Sequence, residues 1–175
     1  QEIAQRGTSD FPVEYYPLTK KHPRYQMQMH WHKDIELIRV TKGRLDCMIG
    51  DLPYTLLEGE SMYIPSGITH GATPSDCEYE CVVFSPSVLY STQRIRQVIK
   101  SQIINPVKFS DNADIGCVCT SLSERHSGFE FDVISALCRT ARLALSEQSF
   151  SNSSTSSKAE KIKPALYFIQ KNFGE

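Results

Sequence analysis

The chain predicts a mainly β domain, a sandwich or barrel of antiparallel strands followed by two to three helices, and three observations carry that expectation. From Tyr25 to Ser85, short apolar runs are separated by turn punctuation at Lys42-Gly43, Gly50-Asp51, Glu58-Gly59-Glu60 and Ser66-Gly67. Punctuation every eight to ten residues or so suits hairpin-connected strands. Toward the end of this region Cys77, Tyr79, Cys81 and Val83 share one face while Glu78 and Glu80 point the other way, the alternation of a half-buried strand. After Pro86 the apolar period lengthens from two to about 3.6, the period of a helix.

Taken in order, residues 1–24 hold Pro12, Pro17 and Pro23 among polar spacers and suit an extended N-terminal arm with one short strand at most. Its Phe11, Val13, Tyr15 and Tyr16 need a surface to cover. Residues 25–86 are the strand region and 87–148 the helical segment. Ser87 is placed to cap a helix running to about Ile104, and Ile115, Val118, Cys119 and Leu122 follow the helical i, i+3, i+4, i+7 rule. Ser127-Gly128-Phe129-Glu130 reads as a capping box ahead of the stripe Ile134, Leu137, Cys138, Ala141 and Leu145. That stripe packs on the sheet or forms a dimer interface. Residues 149–157 are Ser-rich, cannot bury enough apolar surface to offset their ordering entropy, and read as a linker. Beyond them Ile162, Ala165, Leu166, Ile169 and Phe173 repeat the helical stripe, so residues 158–175 are expected to open a further domain.

A net charge of −1 from 19 basic and 20 acidic residues provides no global field for nucleic acid or an anionic membrane. No apolar run is long enough for a membrane span, and no signal peptide is visible at the start, so a cytoplasmic location is expected. The six cysteines form no CxxC pair and read as reduced core thiols.

The chemistry concentrates in His30-Trp31-His32-Lys33-Asp34-Ile35-Glu36 and in the stretch from Gly59 to His70. On a strand His30 and His32 project from one face, as a chelating pair must. Lys33-Asp34 suits a tight turn that lets Glu36 open the neighbouring antiparallel strand, with His70 arriving from across the barrel. Three imidazoles and a carboxylate match zinc, nickel, iron or manganese. They equally suit the polar lining of a small-molecule pocket, with Tyr63 as a further contact, or a structural hydrogen-bond cluster. Trp31 points away from the histidines on a regular strand, and Arg39 lies opposite Glu36.

The spacing HxH, three residues, Glu, six residues, Gly, then Gly, five residues, Pro-x-Gly, two residues, His resembles the two motifs of the cupin superfamily at His30, His32, Glu36, Gly43, Gly59, Pro65, Gly67 and His70. Arg24 stands where the first motif normally has a glycine and Pro74 where the second has an asparagine. With the linker, the stretch Ile162 to Phe173 and Phe11-Pro12-Val13 at the arm, the chain is similar to the AraC family of bacterial transcription regulators. The resemblance implies a cupin-like barrel, or jelly roll, that senses a small effector, plausibly a sugar, and is covered by the arm through Phe11 and Tyr15. It also implies a homodimer made by the helices and DNA contact only through a C-terminal helix-turn-helix domain that residues 158–175 would begin. A metal-dependent cupin dioxygenase or isomerase is the alternative, but a free-standing enzyme has no need of the Ser-rich linker. Catalytic residues are therefore not expected.

Overall fold

The computed structural model describes residues 4–148. The expected linker at 149–157 and helix at 158–175 lie outside the described residues. Seven strands form one antiparallel sheet: β1 (Val13–Leu18), β2 (Met27–His30), β3 (Ile35–Ile49), β4 (Leu52–Leu57), β5 (Ser61–Ile64), β6 (His70–Phe84) and β7 (Val107–Phe109). Three helices follow or interleave: α1 (Gln93–Ser101), α2 (Ala113–Glu124) and α3 (Phe129–Ser146). The mainly β expectation with C-terminal helices holds.

The two 15-residue strands β3 and β6 are the spine, paired along both of their halves. The first half of β3 also pairs with β5, which continues to β7, and its second half pairs with β4. The later half of β6 carries β1 and its opening residues carry β2.

Both spine strands change register between Val40 and Arg44. Gly43 sits there at φ 78°, and a Cβ on it would stand 2.1 Å from the Asp76 carbonyl oxygen, so the bend requires glycine. The consequence is a change of parity. Before the bend the inward side chains of β3 are even-numbered, Ile38 and Val40, and beyond it odd-numbered, Leu45, Cys47 and Ile49. On β6 the switch runs from Ala72 to Cys77, Tyr79 and Cys81. An irregularity of this kind keeps both halves of a bent strand facing one interior, where a regular strand would turn half of its apolar set to water.

A second apolar cluster covers the sheet's other face, where Ile35, Leu37, Tyr63, Val82 and Phe84 meet Ile115, Val118, Cys119 and Leu122 of α2 and Val133, Ala136 and Leu137 of α3. Asn112 caps α2, its side-chain oxygen accepting from the Asp114 N–H at 3.0 Å and the Ile115 N–H at 3.4 Å. The four residues expected to form that helix's stripe are all buried.

Several local expectations are corrected. The sheet exceeds residues 25–86 at both ends, since β1 comes from the arm and β7 from the segment expected to be helical. Three residues are too few to show a period. Ser87 caps no long helix: Ser85 caps a 3-10 turn at Pro86–Leu89, and α1 starts only after Thr92, whose hydroxyl accepts from the Ile95 N–H at 3.2 Å. No side chain caps α3, because Gly128 occupies that position at φ 83°. The α3 stripe also divides. Leu137 and Ala141 are in the core, whereas Ile134 is 37% exposed, Cys138 is exposed and Leu145 is partly buried, with Phe131 at 80% exposure on the outside.

Phe84 is fully buried in the cluster between sheet and helices. Phe84→Ala is expected to lower unfolding stability by about 3–5 kcal/mol, while Met48→Ala, on the exposed face, changes it by less than about 0.5 kcal/mol. Urea unfolding followed by circular dichroism checks both.

Candidate metal centre and its cavity

Glu36 is even-numbered on the first half of β3, so it shares the inner face with Ile38 and Val40. His70 opens β6, directly opposite His30 at the end of β2. This corrects the expected layout: β2 pairs with β6 and not with β3, and His70 comes from the adjacent strand. His32 lies past the end of β2 in the connection to β3. There the second motif fixes it, because the Gly67 N–H donates to the His32 carbonyl at 2.8 Å and the Ser66 hydroxyl donates to the Lys33 carbonyl at 2.5 Å. Gly67 holds φ 80°, a backbone conformation that explains the glycine in the Pro-x-Gly element.

The four side chains converge. Their ligand atoms lie within 4.8 Å of one another, and His32, Glu36 and His70 are buried while His30 is partly exposed. The rings of His30 and His70 are 4.4 Å apart between centroids, and those of His32 and His70 5.0 Å. Each imidazole is oriented from behind: Nδ1–H donates to the carbonyl of Gln28 for His30 at 2.8 Å, of Asp34 for His32 at 3.2 Å and of Ile68 for His70 at 2.8 Å. A carbonyl only accepts, so the proton is on Nδ1 and the Nε2 atoms of His32 and His70 face inward. Such backing is what metal-binding imidazoles usually have.

Both of those Nε2 atoms stand 3.1 Å from the same carboxylate oxygen, Glu36 Oε2. A bare nitrogen lone pair is not attracted to a carboxylate, so with Glu36 ionised this geometry calls for a cation, either extra protons on the rings or a metal ion among the donors. Burial by itself pushes the Glu36 carboxyl up. Hydrogen bonds from His32 and His70, together with their charge, outweigh that and hold it well below the usual carboxylate range. Burial, and then the charge of His70, lowers the His30 imidazole and favours its neutral form. Glu36 Oε1 is buried with no hydrogen-bond partner among the described residues. An orphaned buried carboxylate oxygen beside three oriented imidazoles fits a divalent ion.

A cavity of about 380 Å³ opens onto this cluster, lined by Arg6, Tyr16, Arg24, His30, Glu36 and Cys81 among others. Arg6 escaped the sequence reading, since one arginine in a polar arm carries no periodic signal. It is 5% exposed, donates through Nη1 to the Tyr16 hydroxyl at 3.1 Å and lies 3.5 Å from the Asp34 carboxylate. Phe11, Tyr15 and Tyr63 are not brought to the histidines. Tyr63 pairs across the sheet with Leu37 on the helix-covered face, Phe11 meets Phe129 edge-on at 5.7 Å, and the Tyr15 hydroxyl donates to Glu80 at 2.7 Å. Arg39 bonds Glu80 on that same face, at 3.3 Å.

A family model described as the AraC-like ligand binding domain matches residues 12–157. The chain belongs to that family. As an AraC-like ligand binding domain it is similar to the uncharacterized HTH-type transcriptional regulator YdeC of Bacillus subtilis (strain 168), at 29% identity over 116 residues covering 64% of this chain and 38% of that regulator. The chain thus spans about two fifths of the length of the curated relative it matches. Among solved structures, an apo ToxT variant from Vibrio cholerae aligns with 97% of this chain and 69% of that one at TM-score 0.57 and 14% identity, which shows a shared fold. A Bacillus subtilis oxalate decarboxylase variant aligns with 34% of this chain and 18% of that one at TM-score 0.32 and 25% identity. No helix among the described residues of this AraC-like domain is long and apolar enough to cross a membrane.

Cys47 and Cys81 lie near the cluster but are poor nucleophiles. Burial, with help from Asp46 and Glu36, pushes the Cys47 thiol up to about 12, and burial beside Glu36 raises Cys81 well above the ordinary thiol range. A brief iodoacetamide pulse near about pH 8 is expected to label Cys47 and Cys81 at least about tenfold more slowly in the folded protein than in the urea-unfolded chain, as read by peptide mass spectrometry.

Proposed function

We propose that this domain senses a small polar effector in the cavity beside a divalent ion held by His30, His32, Glu36 and His70. The observation that carries the metal half is the buried Glu36 carboxylate, with Oε1 unpartnered and Oε2 faced by two imidazole nitrogens. Zinc, nickel, iron and manganese all suit three nitrogens and one oxygen. When bound, the ion supplies a fixed positive charge and a coordination position for a ligand oxygen or nitrogen. The chain's own residues do the rest: backbone carbonyls hold the imidazoles in one tautomer, and Arg6 and Tyr16 shape the wall through which a ligand approaches. Membership of a ligand-binding family favours sensing over a cupin dioxygenase or isomerase.

The regulator acts on this reading as a cytoplasmic homodimer whose DNA contacts come from a separate C-terminal helix-turn-helix domain. The dimer uses the outer stripe of α3, where Phe131, Ile134 and Cys138 are exposed and Leu145 is partly buried, in place of core residues Leu137 and Ala141. Effector binding then shifts the arrangement of the dimer by its differential affinity for the two states.

Protein grown in metal-supplemented medium is expected to carry about one divalent ion per chain by elemental analysis, with His32→Ala weakening metal binding by more than about tenfold. Metal content indistinguishable from that of His32→Ala would remove the metal half. For the dimer, Ile134→Arg is expected to weaken self-association by about tenfold or more without unfolding the domain, measured by sedimentation equilibrium.

A further inference from the structure

We propose that a second recess, behind the connections that hold the metal ligands, binds a small uncharged molecule through its carbonyl oxygen and passes that occupancy on to His32 and His70. The recess measures about 500 Å³ and shares no lining residue with the cavity formed by Arg6 and Tyr16. Its buried wall is Ile35, Tyr63, Pro65, Ile99 and Ile103, on the helix-covered side of the sheet. The size suits a ring-sized metabolite.

Tyr63 is the polar side chain of that buried wall. It is 1% exposed, and its hydroxyl has no hydrogen-bond partner among the described residues. A hydroxyl unmet at that depth costs the fold free energy, which an acceptor arriving in the recess recovers. Burial pushes the phenol up and Tyr90, also on the wall, raises it further, so the group keeps its proton and donates. A carbonyl oxygen answers that donor and brings no donor of its own to be satisfied. No charged residue belongs to the buried wall, so an ionised ligand would meet no counter-charge there. The isoleucines and Pro65 take the ligand's apolar body.

The recess also shares its wall with the parts that position the metal ligands. Asp34 and Ile68, whose backbone carbonyls accept from the Nδ1 atoms of His32 and His70, both line it. So do Lys33 and Ser66, which are joined to each other by the Ser66 hydroxyl. A ligand that shifts this wall therefore shifts the backing of two imidazoles through direct contacts.

The test is nuclear magnetic resonance of the full chain with labelled isoleucine methyl groups and histidine rings, titrated with acetophenone, ethylbenzene and benzoate. Acetophenone is expected to move the Ile35, Ile99 and Ile103 methyl signals along one saturable curve, and the His32 and His70 ring signals along the same curve. Ethylbenzene, of similar shape without the oxygen, and benzoate, which carries a charge, should each bind at least about threefold more weakly. Tyr63→Phe deletes a hydroxyl without a partner, so it should leave the thermal midpoint unlowered and erase the preference for acetophenone over ethylbenzene. A preference that survives Tyr63→Phe overturns the assignment, as do tighter binding of benzoate and isoleucine methyls that stay silent toward acetophenone. Methyl shifts without movement of the His32 and His70 rings overturn the link to the metal ligands. The isoleucine readout does not depend on metal content, so its failure leaves the metal reading standing.

Discussion

A carboxylate with almost no contact with water sits on the inner face of the bent sheet, and much of the surrounding structure is arranged to make that tolerable. Glu36 loses its hydration on β3, an expense of several kcal/mol unless opposite charge is supplied within hydrogen-bond reach. His32 and His70 supply it only with a proton or a metal ion on the facing nitrogens, because backbone carbonyls fix the other nitrogens as donors. Three backbone acceptors, a glycine with positive φ in the second motif and a serine hydroxyl all serve this one cluster. Their combined geometry suits a cation better than a purely structural hydrogen-bond group.

The bend in β3 and β6 is the second constraint, and it makes the first possible. The change of parity at Gly43 and Asp76 lets fifteen-residue strands keep one apolar side inward through a corner. Glu36, before the bend on β3, and His70, before it on β6, therefore meet on the same inner face. The same logic sorts the remaining polar groups. Odd-numbered Tyr63, Arg39 and Tyr15 go to the helix-covered face, where Glu80 gathers Tyr15 and Arg39. Even-numbered Tyr16 faces the cavity and carries the arginines. Cavity-lining surface and helix-packing surface are thus separated by side-chain parity on shared strands.

The metal-type cluster was legible in the sequence because its four members sit at fixed offsets set by strand and turn geometry. The strands and α2 were legible because their periods are sustained over several turns or alternations. What escaped was short or non-local. β7 is three residues long, and the pairing of β2 with β6 depends on a partner forty residues away. Tyr63 was expected as a further pocket contact, but strand alternation turns it to the other face. The α3 stripe was read one face too broadly, since Leu137 and Ala141 pack inward while Ile134 and Cys138, one turn away, point out. Arg6 could be found only by folding the arm, because its partners Tyr16 and Asp34 lie ten and twenty-eight residues downstream.

The most direct test of the central claim is X-ray absorption spectroscopy of the metal bound to the full chain. Expected is a first shell of nitrogen and oxygen donors with the multiple-scattering signature of about three imidazoles, lost in part on His70→Ala. A shell containing sulfur, which would bring in Cys81 or another thiolate, or one with no imidazole at all, would contradict a centre built on His30, His32, Glu36 and His70.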